Sequence, residues 1–352
     1  MKGHILVFFC CCLLSGCAQE RIVDRIKIIQ SIGTDIEGET IKMSASYPTY
    51  NNASGKQSKP MLTAKSQTIS GSLKTLAAES SQPIELGHLR TWVISEKFAR
   101  KALAEVADII NSDSIKSSNA TLVITKQNAS SIIAETLKNP PFFLSELVEQ
   151  NMDHGNTPKT NYHTFINQYF GEGQDVYLPA IKKDQGLLHM DGIVVFKGDK
   201  LKLWLTNKEG LYIKLLKDKA LTGQYDFTTE QKEKYSLVIW HGKRKIAIAQ
   251  NGKAAISLIL TIELREYPKK INILKKHDLH EVKKQIEEKF GSEIKKMLVH
   301  LQKNNVDPIG FGEQYRRQHR KYSENGFYDE IYPNLDFEVK MEIIIIHSGV
   351  GH

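Results

Sequence analysis

Apolar positions recur along this chain with two periods, and the elements they predict alternate for much of its length. Lys27 to Ile32 is a β-like run closed by the turn Gly33-Thr34-Asp35, and the alternating Ile41–Tyr47 is its hairpin partner. Asn51 to Lys59 is rich in Asn, Ser, Gly and Lys and reads as a loop; a helix follows near Ser70 to Glu79. Thr91 to Ser95 is a strand, and Ser95 is placed to cap a helix running to about Ile110. Ala120–Thr125 is a strand and Asn128–Leu137 a helix. Pro140-Pro141 break the chain before a helix from Phe142 to Asn151. Strands alternating with helices argue for an α/β layer.

From Leu188 the pattern turns to strands: Ile193–Phe196, a turn at Lys197–Lys200, then Leu201–Leu205, Tyr235–Trp240, Lys245–Ala249 and Ala254–Leu264. A long helix follows. Asp278 and Glu281 have capping-box spacing, and Leu279, Val282, Ile286, Phe290, Ile294, Met297, Leu298 and Leu301 form one apolar stripe. Pro308 to Gly312 is a turn before a second helix from about Glu313. In the last strand Leu335, Phe337, Val339, Met341, Ile343 and Ile345 share one face. Ile344 and Ile346 make its end apolar on both sides, which predicts an interior end. The expected fold is mixed α/β (α+β) and multi-domain, of three units, with a long C-terminal amphipathic helix packed on a sheet. The expected divisions are a signal at 1–16, a tether at 17–25, an N-terminal α/β domain at 26–186, a strand-rich middle domain at 187–266 and a helix-plus-strand domain at 267–352.

The first 17 residues change this picture. All four cysteines lie there, and the last closes Leu14-Ser15-Gly16-Cys17 after the positive Lys2 and the apolar run Ile5–Leu14. That is the layout of a secretory signal, and its greasy core is shorter than the roughly 20 residues a membrane span needs. Its ending resembles the bacterial lipobox, which implies cleavage before Cys17 and lipidation of its thiol. Cys17 is then the sole cysteine, so the exported chain has no internal disulfide and no thiolate metal site. The net charge is +8, but only nine of the 48 basic residues are Arg. That balance argues against nucleic acid, which Arg reads with its fork, and suits a surface near an anionic leaflet.

Candidate chemistry is sparse. The sequence has no GxxxxGKS, HExxH, GxSxG or GxGxxG. His277 and His280 lack a nearby third metal ligand, and Asp175, Asp184 and Asp191 are scattered. Gly87-His88-Leu89-Arg90 leads straight into a strand, and reads either as a ligand or partner contact or as an Arg-paired structural turn. Asp307-Pro308-Ile309-Gly310-Phe311-Gly312 reads either as a docking element or as turn chemistry with glycine at positive φ.

Together these segments resemble the Ger(x)C family, the lipoprotein C subunits of bacterial spore nutrient germinant receptors. The resemblance rests on an ordered set: the lipobox, Ile32-Gly33-Thr34-Asp35, Gly87-His88-Leu89-Arg90, Asp191-Gly192 with Phe196-Lys197, Asp307 to Gly312, and the terminal Ser348-Gly349. It departs from the family where Ala18-Gln19 replaces the Trp-Asp that often follows the cysteine. The resemblance implies a three-domain, non-enzymatic protein on the outer face of the spore inner membrane. It would carry diacylglycerol and an N-acyl chain such as palmitate on Cys17, and no other cofactor or metal. Its implied partners are integral membrane A and B subunits, with which it triggers germination. No agreed ligand residues come with the family; Gly87, His88, Arg90, Asp191, Gly192, Asp307, Gly310 and Gly312 are the candidate partner or structural contacts. The competing class is a lipid-anchored solute-binding protein of a transporter, which requires two similar lobes around a cleft.

Overall fold

The structure, a computed structural model, describes residues 26–48, 61–112, 119–229, 232–249, 252–319 and 322–346. The signal, Cys17, the tether, the loop expected at Asn51–Lys59 and Ser348-Gly349 lie outside the described residues.

Two sheets organise the chain. In the first half run β1 (Lys27–Ile28), β2 (Ser31–Glu37), β3 (Thr40–Ser46), β4 (Met61–Ser66), α1 (Ile69–Ala78), β5 (Ile84–Glu85), β6 (Thr91–Ser95), α2 (Glu96–Asn111) and β7 (Thr121–Thr125). They are followed by α3 (Ala129–Thr136), α4 (Phe143–Asp153), α5 (Tyr162–Phe170), β8 (Tyr177–Asp184), β9 (Leu187–Lys197) and β10 (Lys200–Leu205). Eight of these strands form one mixed sheet in the order β10-β9-β8-β7-β6-β2-β3-β4, and β1 pairs with β5 apart from it. The central strands β2, β6 and β7 are parallel. Both their faces are covered, which is why β6 and β7 read as unbroken apolar runs. Trp92, Ile94, Leu122 and Ile124 point to a core shared with α1, α2 and α5, while Val93 and Val123 point to one shared with α3 and α4.

The second half holds α6 (Asn207–Lys217), β11 (Gly223–Thr228), β12 (Lys234–Ile248), β13 (Lys253–Glu266), α7 (Lys276–Lys303), α8 (Phe311–Gln318) and β14 (Asp336–Ile346). Its sheet runs β11-β12-β13-β14, antiparallel except that β14 lies parallel to β13. The predicted stripe of α7 is buried from Val282 to Leu301 and packs in one core with Ile256, Leu258, Leu260, Phe337 and Ile343 of that sheet. The chain is therefore mixed α+β and multi-domain, with its long helix on the C-terminal sheet.

Where the structure departs from the sequence reading, the reasons are local. The boundary expected at 186/187 falls in the β8–β9 hairpin of the larger sheet. β9 is a shared wall: Val194 and Phe196 enter the first core, Ile193 and Val195 the core of the C-terminal half. The strands expected in a middle domain pair with β14, so 187–266 and 267–352 do not separate. Gly33-Thr34-Asp35 is not a turn but the buried middle of β2; the hairpin turns at Gly38-Glu39. Gly33 is needed there because a Cβ would stand 2.8 Å from Ile133 Cγ1.

The two strands expected at 235–240 and 245–249 are one, interrupted by a bulge at Trp240. Ser95 stands at the N-cap of α2 without a side-chain cap bond. Asp278 and Glu281 form no capping box: α7 begins at Lys276, and Asp278 reaches back to accept from Asn272 N at 2.9 Å. Ile344 and Ile346 are not interior; they are 41% and 40% exposed on the open face of β14. β4, β5, α5, α6, β8 and β11 have no counterpart in the sequence reading.

Candidate functional site

Asp307 sits in the turn that joins α7 to α8 and has no exposed surface. Gly310, at φ 85°, adopts the left-handed conformation that folds this turn back on the carboxylate. Asp307 Oδ1 then accepts from Gly310 N at 2.8 Å, and Oδ2 from Gly312 N at 2.9 Å and Tyr328 Oη at 3.1 Å. The spacing Asp-x-x-Gly-x-Gly is thus a carboxylate solvating its own turn.

The turn clasps the loop between α5 and β8. Asp175 N donates to Asp307 O at 2.9 Å, and Asp307 N returns a bond to Asp175 Oδ2 at 2.7 Å. Lys197 at the end of β9 reaches the same oxygen at 3.2 Å, and its ammonium lies 3.8 Å from the centre of the Tyr328 ring. Glu313 N donates to Gly173 O at 2.8 Å, and Gly173 N to Glu324 Oε1 at 2.8 Å. Gly312 and Gly173 meet backbone to backbone: a Cβ on Gly312 would come within 2.8 Å of Gly173 Cα. Lys217, at the end of α6, donates to Gln174 Oε1 at 2.9 Å.

A second group of buried charges extends this joint. The Lys214 ammonium is fully buried and donates to the carbonyls of Met152 and Gly155, both at 2.7 Å, closing the end of α4. Asp218 Oδ2 accepts from Lys159 N, and Arg244 donates to the carbonyls of Lys217 and Asp218. Burial dominates the titration here. It lifts Asp175 and Asp218 to about 6 each, against the pull of Lys197 on the first and of the Lys159 N–H and Lys214 on the second. It also raises Asp307, opposed by the turn's N–H groups, and lowers Lys214 to about 8. Both oxygens of the Asp307 carboxylate are taken by donors of its own half, which fixes the turn; the tie between the two units is made by the Asp307 backbone, which exchanges bonds with Asp175.

The other predicted residues fall elsewhere. Asp191 pairs with Lys182 at 3.1 Å. Gly192, at φ 87°, passes so close to the next segment that a Cβ would be 1.9 Å from Leu205 O. Its N–H donates to Asn207 Oδ1, and Asn207 Nδ2 donates to Met190 O, so this glycine seats the start of α6, whose other end reaches the joint through Lys217. Gly87, His88 and Arg90 are exposed around the buried Leu89. The Arg90 backbone links Gln30 O to Thr121 N, but no carboxylate among the described residues pairs with its guanidinium. Among the described residues the Arg-paired turn expected there has no acidic partner for its guanidinium. No bond connects Gly87–Arg90 to either of the other loci among the described residues.

Sequence reasoning singled out Asp307, Gly310 and Gly312 but not Gly173, Lys217 or Tyr328, which complete the joint. Among the described residues no three His, Cys, Asp or Glu side chains converge as a metal site, and no helix is long and apolar enough to cross a membrane. Asp35 has a role of its own: Oδ1 and Oδ2 accept from Ala129 N and Ser130 N and so cap α3 from β2.

Residues 19–183 match the family model described as spore germination protein N-terminal domain, and residues 191–349 the one described as spore germination B3/GerAC like, C-terminal. The chain is 30% identical over 363 residues to spore germination protein GerQC of Bacillus cereus, a match covering 99% of each chain. It is 24% identical to spore germination protein KC of Bacillus subtilis (strain 168), over 98% of this chain and 95% of that one. The crystal structure of the GerBC protein superposes with a TM-score of 0.60 at 19% identity, covering 90% of this chain and 96% of the other, a likeness of fold.

Proposed function

Because the chain belongs to the Ger(x)C family of spore germination proteins, we propose that it is the non-enzymatic lipoprotein subunit of a spore nutrient germinant receptor. In this reading Cys17 carries the lipid and holds the protein on the outer face of the spore inner membrane. It acts there with integral membrane A and B subunits to trigger germination. The observation that supports it best is the ordered match of both germination domains, with identity to GerQC running over the whole chain. The joint at Asp175 and Asp307 fits the same role, since a subunit that works through its surfaces needs its two halves held in one orientation.

The test is a pull-down from detergent-solubilised inner membranes of dormant spores, with a tag at the C-terminus. Recovery of two polytopic membrane proteins is the expected result. Recovery of transporter permeases instead would overturn the receptor reading in favour of a solute-binding lipoprotein.

A further inference from the structure

Three hollows of about 410, 370 and 590 Å³ adjoin around the start of α6 and along α7. The first and second share Thr206 and Lys208, and the second and third share Lys296 and His300. Together they make one groove, with Lys126 and Trp204 at one end and Lys303 at the other. Lys296, His300 and Lys303 stand four and three residues apart, so they form a single stripe on α7.

The carboxylates of this groove are already engaged. Asp191 pairs with Lys182 at 3.1 Å. Glu293 Oε2 accepts from the Tyr212 hydroxyl, and from Tyr225 Oη and Lys208 Nζ at 2.8 Å each. Glu209 Oε2 closes the capping box of α6 by accepting from Thr206 N at 2.8 Å, and its Oε1 lies 3.8 Å from His300 Nδ1. Lys126, Lys296 and Lys303 are exposed and have no carboxylate in salt-bridge reach among the described residues. The groove therefore holds three cations that the chain does not neutralise. At its first end the Lys126 ammonium stands 4.2 Å from the centre of the Trp204 ring. The Trp204 Nε1 is closed to solvent and meets no acceptor among the described residues, although a buried indole N–H ordinarily finds one. Met297 and Val299 add apolar surface between the charges.

We propose that this groove docks an extended acidic segment of a partner protein. The charge asks for carboxylates at intervals, and the apolar surface between asks for side chains that alternate with them, as an extended strand provides. From Ser292 to Lys303 the helix rises by about 17 Å, the reach of about five extended residues. An extended backbone also brings carbonyl acceptors to the end at Trp204. A flat bilayer meets only the rims of successive hollows, so the concave shape favours a polypeptide over a lipid surface. The inference does not rest on the receptor reading, since binding is measured on the isolated chain.

The experiment is a fluorescence-anisotropy titration of the full chain in non-ionic detergent micelles. The probe is a fluorescein-labelled peptide of four Glu-Leu-Asp repeats, and the comparison is the same peptide with Gln and Asn in place of Glu and Asp. Saturable binding of the acidic peptide, and none of the neutral one, is expected. Combining Lys126→Gln, Lys296→Gln and Lys303→Gln should weaken binding about tenfold. Combining Lys74→Gln, Lys97→Gln and Lys245→Gln removes the same charge from exposed positions outside the groove and should change affinity by less than about twofold. Both combinations replace exposed side chains and should keep the wild-type melting temperature. Absence of saturable binding, or an equal loss in the two combinations, would overturn the proposal. So would displacement of the peptide by phosphatidylglycerol mixed into the micelles, which would assign the groove to lipid headgroups.

Discussion

Replacing Asp307 with alanine tests the joint most directly. The substitution removes the acceptor of two backbone N–H groups and one hydroxyl, at 2.8, 2.9 and 3.1 Å, all in a site closed to solvent. Bonds to a charged acceptor contribute about 1.5–3 kcal/mol each, so three of them amount to roughly 4–9 kcal/mol gross. Removing a buried carboxylate also relieves its desolvation, which offsets several kcal/mol. We expect a net loss of about 3 kcal/mol, a large share of the 5–15 kcal/mol typical of a folded protein. The assay is urea unfolding followed by tryptophan fluorescence, since Trp92 reports on the first core and Trp240 on the C-terminal sheet. With a slope of about 3 kcal/mol per molar, the midpoint should fall by about 1 M. Asp307→Asn keeps one acceptor oxygen and should lose about half as much. A midpoint for Asp307→Ala indistinguishable from that of the unaltered chain would refute the account of this carboxylate as what holds the turn that carries the joint.

Four further outcomes follow from the geometry. Asp175 and Asp218 are both raised by burial to about 6, so the folded chain holds their protons more tightly than the unfolded one. Their contribution is full below about pH 4 and is lost as pH rises through about 6, so Asp175→Asn should flatten the melting-temperature profile across that window; an unaltered profile would remove the assignment. Gly192→Ala places a methyl 1.9 Å from Leu205 O at positive φ and should cost about 3 kcal/mol or more, read as lost melting temperature. Arg90→Ala, at an exposed side chain, should change stability by less than about 0.5 kcal/mol, with any effect appearing only in partner recovery. Cys17→Ala should move the protein from the membrane to the soluble fraction, and a variant that stays fully membrane-bound would show that something other than lipid holds it.

The sequence made regular elements legible wherever one period ran unbroken. The α7 stripe and the buried strands at 91–95 and 121–125 are of this kind. It misled where a local signal imitated another. Gly33-Thr34-Asp35 has turn composition, yet its glycine is there to admit Ile133 and its aspartate to cap a helix. Ile344 and Ile346 have core composition and lie on an open sheet face. The bulge at Trp240 split one strand into two apparent ones. At the joint, the Asp-x-x-Gly-x-Gly turn was readable because its chemistry is local. Asp175 was not, because it lies 132 residues away and nothing in a single chain marks that pairing.

The parallel pairing of β14 with β13 also bears on how the chain reaches this state. β11, β12 and β13 form a meander from neighbouring segments, but Ile256 finds Val339 only after α7, α8 and the short helical turns of 324–334 have been laid down between them. Such distant pairing is slow, so the C-terminal sheet should close last, with the edge of β13 unpaired until β14 arrives. An open edge of that length invites pairing with another chain. The rate at which β14 docks therefore sets how long each newly made molecule is open to self-association, and slowing that step should lower the yield of folded protein even where its final stability is unchanged.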